Sequence, residues 1–127
     1  MRSPPSSFVL PDLHALTPWS GSINPHYVRL ISEEGAERAA FYARIPERMH
    51  VVFRQRTGDF LAAYTFPSGS FERLRIIRDF IDILYLVDFT TDEQTGKDAW
   101  GTCLTFYNSM RSEKFDDGSQ LCQLTQE

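Results

Sequence analysis

Two carboxylates, Asp88 and Asp92, stand one helical turn apart at the end of the run FERLRIIRDFIDILYLVDFTTD. Leu74, Ile77, Ile81 and Leu84 recur at steps of three and four, forming one apolar stripe whose next two steps are those acids. A bare pair of carboxylates there is costly, because each charge is desolvated and the two repel. A divalent cation removes both costs. Mg²⁺ takes oxygen ligands, is commonly held by one or two carboxylates, and keeps positions open for water and phosphate oxygens. The same pattern also fits the solvated end of an ordinary core helix, since acids do end helices despite the unfavourable dipole. An EF-hand is excluded: counting from Asp88, Glu93 stands where the loop needs Gly and Ala99 where it needs Glu.

Other reactive side chains read as structural. His14, His26 and His50 lack metal-ligand spacing, and Cys103 and Cys122 form neither a C-x-x-C pair nor a disulfide framework. Asp116-Asp117-Gly118 reads as a polar turn. Arg75 with Asp79, and Arg78 with Asp82, stand at i,i+4 and read as pairs on a helix surface. Ser20 and Ser70 have no G-x-S-x-G surroundings, so hydrolase chemistry finds no support.

These residues need a helical frame. The 127 residues suffice for one core, with 42% hydrophobic and 24% charged residues and a moderately aromatic content of 10 Phe, 5 Tyr and 2 Trp. A net charge of -4 argues against a sequence-independent nucleic-acid binder. No segment has the length and freedom from charge of a membrane span, and the isolated thiols fit a reducing, cytoplasmic setting. Residues 1–23 read as an extended N-terminal arm, with Phe8, Val9, Leu10, Leu13, Leu16 and Trp19 laid over a helical body. Asn24-Pro25 opens a helix reaching Arg44, with Gly35 as its weak point. A second helical region covers Glu47 to Phe66, bent near Thr57-Gly58 and ended by Pro67. Ser70 caps the acidic helix, Thr95 caps a fourth helix reaching Ser112, and 113–127 reads as a polar tail. No strand alternation competes, so the fold class is all-α.

The order FVLPDL, PW, INPHY, DFLAAYTFP, LRIIRDF and LVDFTTD resembles the N-terminal part of the fungal class I sesquiterpene synthases of the protoilludene-synthase type, over most of residues 8 to 110. The resemblance implies part of a class I terpenoid-synthase helical bundle, with residues 24–112 as its N-terminal helices. It implies a Mg²⁺-dependent lyase that ionises and cyclises farnesyl diphosphate. Asp88 is then the principal metal ligand and Asp92 a weaker one, while Phe89 stands where the family has an acid. Aromatic and aliphatic side chains would line the cavity, with Phe60, Ile81, Leu84 and Tyr85 as wall candidates against a reading of plain core packing. The family's second metal motif and its diphosphate-sensing Arg have no counterpart before Glu127, and residues from about Glu113 do not resemble the family. On this reading the chain is a truncated copy, inactive in isolation. The alternative is a non-catalytic helical pseudoenzyme or fragment.

Overall fold

The computed structural model describes residues 7, 9–17, 20–33, 35–55 and 57–127, with the backbone alone at 36 and 37. The arm residues Phe8 and Trp19 lie outside the described residues. Helices α1 (Tyr27–Ser32), α2 (Ala36–Arg44), α3 (His50–Arg54), α4 (Thr57–Thr65), α5 (Phe71–Asp92), α6 (Gly96–Arg111) and α7 (Gln120–Gln126) follow in order, with a 3₁₀ turn at Glu47–Met49 leading into α3. No strand occurs among the described residues. The all-α expectation is met.

The two long N-terminal helices of the sequence reading are each broken. Gly35, at φ -101° and ψ -141°, separates α1 from α2, and Ile45 is extended ahead of Pro46, as the proline ring demands of its predecessor. The second break falls between Arg54 and Thr57, beside the bend expected near Thr57-Gly58. The N-cap of α1 is His26, so Asn24, expected in that place, has another role. Its amide is fully buried and donates to the Phe66 and Gly69 carbonyls at 2.8 and 2.9 Å, while its Oδ1 accepts from the His26 N–H. Its own N–H reaches the Ala63 carbonyl at 2.9 Å, so this one residue ties the chain before α1 to the end of α4 and the turn into α5. The arm before it behaves otherwise: Val9, Leu10, Leu13 and Leu16 are exposed, against the expectation that they pack.

Helix α5 is the axis of the fold, and its caps follow the sequence. The Ser70 side chain accepts from the Arg73 N–H, as the Thr95 side chain does from Asp98 for α6. Leu30, Ala62, Ala63, Phe71, Leu74 and Ile81 form one core cluster, joining α1, α4 and α5. Ile45, Met49, Phe53, Leu86 and Leu124 form a second, with Phe89 packed against it. Tyr85 touches both clusters. The segment from Glu113, read as a polar tail, contains α7. Ser119 caps it by accepting from the Cys122 N–H, and Cys122 and Leu124 are buried on its inner side.

Candidate active site

The buried face of α5 runs through Phe71, Leu74, Arg78, Ile81, Asp82 and Leu86. It is therefore turned away from the straight stripe that the spacing of 74, 77, 81 and 84 suggested. Leu74 and Ile81 lie on it, Ile77 is half-buried, and Leu84 is 40% exposed. Asp88, one turn beyond Leu84, shares that open flank, and Asp92 one turn further is also exposed. On a helix such a pair has Cβ atoms about 6 Å apart, near enough to share a hydrated divalent cation. Phe89 is not part of this flank. Its ring packs against the second core cluster, 6.5 Å from the Tyr85 ring, so position 89 serves packing.

The four wall candidates divide two and two. Ile81 and Tyr85 pack in the core, whereas Phe60 is 48% exposed and Leu84 is open on the flank. Phe60 belongs to an aromatic group that sequence reasoning did not assemble: it meets Tyr27 edge-on at 5.8 Å and Tyr64 at 4.6 Å. The i,i+4 spacing of Phe60 and Tyr64 was the available signal, while Tyr27 is joined only by the fold.

Phe60 is held in place by its neighbour. Asp59 is fully buried in α4, 3.9 Å from the Arg78 guanidinium of α5, and Arg78 Nε donates to Asp79 at 2.7 Å. Asp82 accepts from Arg38 of α2. Arg78 and Asp82 are thus buried cross-helix anchors, which corrects the reading of them as a surface pair. Polar identity concealed them, because Arg and Asp at i,i+4 ordinarily face water. Burial pushes the Asp82 carboxyl up to about 6, against the pull of Arg38. Gly58 lets α4 come this close, since a Cβ there would stand 2.7 Å from Asp82 Oδ1.

The remaining candidates settle as structure. Gly118 has φ +74° and donates to Asp116, while Asp117 accepts from the Ser119 N–H and from the Thr105 hydroxyl, as a polar turn requires. The hydroxyls of Ser119 and Thr105 hold Asp117 below the usual carboxylate range. His50 Nε2 lies 2.9 Å from the Tyr42 carbonyl. Among the described residues no helix is long and apolar enough to cross a membrane.

No protein-family model matches the chain. Individual proteins do. The chain is 34% identical over all 127 residues to the bifunctional terpene synthase Agr4 of Cyclocybe aegerita, covering 37% of that protein. It is 33% identical over its whole length to a Coprinopsis cinerea protein, COP4, named a linoleate 10R-lipoxygenase, covering 36% of it. It is 32% identical over 97% of its length to the viridiflorene synthase Agr2 of Cyclocybe aegerita, covering 32% of it. The first two matches run through residues 113–127, so the C-terminal segment shares the likeness that the sequence reading denied it. The chain spans about a third of the length of these relatives, and across that span it is similar to fungal sesquiterpene synthases.

Proposed function

We propose that the chain supplies the first metal-binding end and one wall of a Mg²⁺-dependent cyclase that ionises farnesyl diphosphate. The observation that carries the reading is Asp88 on the uncovered flank of α5, directly beyond Leu84, in a chain similar to named terpene synthases. Asp88 and Asp92 offer hard oxygen donors that suit Mg²⁺, with Asp88 the principal ligand and Asp92 the weaker. When bound, the metal would neutralise the diphosphate leaving group and so lower the barrier to an allylic cation. The protein's own part is to place aromatic faces and an apolar surface beside that cation. Phe60 and Tyr64 present ring faces whose quadrupoles attract positive charge, and Leu84 shapes the apolar side below the acids. Ile81 and Tyr85 support this wall from the core.

A second reading, a non-catalytic helical protein, is favoured by one observation. Phe60 and Leu84 are open to water, which would quench a carbocation before it cyclised. The two readings combine for the isolated chain: it binds the metal and the diphosphate and does not turn over. Lipoxygenase chemistry, the activity in the name of the Coprinopsis cinerea relative, draws on imidazole ligands for iron. The three histidines here are scattered, and the sole metal-type grouping among the described residues, Asp116, Asp117 and Cys122, contains none.

The test is purified chain with farnesyl diphosphate, titrated calorimetrically with Mg²⁺ or with chelator and sampled for volatile hydrocarbons. Mg²⁺-dependent binding without cyclic product is expected. Binding indifferent to Mg²⁺, or none, would overturn the metal reading, and sustained cyclic product would overturn the inactivity of the isolated chain.

A further inference from the structure

Four charges lie inside the meeting of α2, α4 and α5: Arg38, Asp59, Arg78 and Asp82 are each at most 6% exposed. Asp82 accepts from Arg38 Nη1, and Arg78 stands between Asp59 at 3.9 Å and Asp79 at 2.7 Å. Stability alone does not explain them. Exchanging a buried ion pair for apolar side chains of similar volume is often neutral or stabilising, because the charges had lost their water. What such a pair adds is direction. An apolar contact survives a small roll of one helix on another, whereas a carboxylate held by a planar guanidinium does not.

That direction bears on the wall. Asp59 and Phe60 are neighbours on α4, about 100° apart around its axis, so the contact that holds Asp59 against α5 also fixes where the Phe60 ring points. Gly58, one residue earlier, sets the depth: a Cβ there would meet Asp82 Oδ1 at 2.7 Å, Ile81 Cγ2 at 3.5 Å and Tyr85 Cε2 at 3.6 Å. Arg38 holds the Asp82 carboxylate, so that oxygen does not swing aside freely. The Phe60 ring meets Tyr64 of its own helix at 4.6 Å and Tyr27 of α1 at 5.8 Å. The first contact travels with α4, and the second reports its roll. We propose that Asp59 and Arg78 are positioning residues for the cyclase: their ion pair fixes the roll of α4 on α5 and so holds Phe60 and Tyr64 against the hydrocarbon tail of a diphosphate anchored at Asp88. This positioning role rests on the proposed function for its ligand and on the α4–α5 junction for its geometry. Both residues are buried, so they act on the tail through the rings and leave the metal end alone.

The test titrates the whole chain, in Mg²⁺, with inorganic diphosphate and with farnesyl diphosphate by calorimetry, since the ratio of the two affinities isolates the tail. Arg78→Met alone would bury the Asp59 carboxylate without that guanidinium, which endangers the fold. The variants are therefore the double exchange Asp59→Leu with Arg78→Met, and Gly58→Ala, which lifts α4 from α5 with every charge kept. Both should fold by circular dichroism and bind inorganic diphosphate as the wild type does. The farnesyl-to-inorganic affinity ratio should fall about tenfold, equivalent to about 55 Å² of apolar contact, or roughly a third of a Phe side chain. Nuclear Overhauser contacts between the Tyr27 and Phe60 rings should be lost while those between Phe60 and Tyr64 persist, a pattern that general destabilisation does not give. A wild-type ratio with the Tyr27–Phe60 contact intact in the double variant, or in Gly58→Ala where the double variant does not fold, would overturn the positioning role. So would an equal loss for both ligands, or a wild type that binds inorganic diphosphate and gains nothing from the tail. A wild type that binds neither ligand would overturn the proposed function and the positioning role with it, whereas the other outcomes strike the positioning role alone.

Discussion

Phe89 shows how one residue can be legible in type and illegible in role. Its place after Asp88 marked a departure from an acidic pair, and the sequence left open whether the ring faced the acids or the core. The answer depends on Ile45, Met49 and Phe53, residues far away in the chain that build the cluster it joins. Phe89→Asp therefore does not add a metal ligand; it drives a carboxylate into apolar packing. The expected result is a loss of about 3 kcal/mol in unfolding free energy with no gain in Mg²⁺ affinity, read by denaturant titration and calorimetry on the same sample. An unchanged midpoint with tighter Mg²⁺ would place the side chain on the open flank instead. That Asp88 follows Leu84 on one flank of α5 was legible from spacing alone, because one turn of helix fixes which side chains are neighbours whatever else packs around them.

At the level of elements, the capped helices were the legible ones. Ser70 and Thr95 announce α5 and α6 by a local hydrogen bond that needs no tertiary partner. The weak point at Gly35 and the bend near Thr57-Gly58 were legible as interruptions, though not as full breaks, and helix α7 was not legible at all, since short helices draw their stability from packing and not from propensity. Asn24 illustrates the difference. Local pattern gave it a cap, whereas the fold gives its side chain three hydrogen bonds, two of them to the turn that launches α5. Asn24→Ala takes the amide donor from two part-buried bonds to the Phe66 and Gly69 carbonyls and should cost about 1–3 kcal/mol, with hydrogen exchange accelerated first around Phe66 to Ser70. A loss confined to α1, with that turn still protected, would return Asn24 to a simple capping role.

At the scale of the whole molecule, α2, α4 and α5 are joined by buried charge as well as by apolar contact, and this was the least legible part of the sequence. Arg38, Asp59, Arg78 and Asp82 have the composition of a surface, and only the meeting of three helices reveals them as interior. The junction has a pH signature. Asp82 gives up its proton near 3.8 when unfolded and about 6 when folded, so the folded state binds more protons between those values. Stability from this group is fully present below about 4 and is lost as pH rises through about 6. The unfolding free energy of the wild type minus that of Asp82→Asn should decline across that window and level off above pH 7, by denaturant titration at each pH. A flat difference would mean that Arg38 holds the carboxylate ionised throughout. The central claim concerns the other end of α5, where the open flank is read as the place that receives Mg²⁺ and a diphosphate. Its most direct test compares Asp88→Ala with Asp92→Ala by calorimetric titration of Mg²⁺ and inorganic diphosphate. Both positions are exposed, so both variants should fold. The account predicts that Asp88→Ala weakens Mg²⁺-dependent diphosphate binding the more, by at least tenfold, and Asp92→Ala by a smaller factor. Equal losses, the reverse order, or no loss in either variant would contradict it.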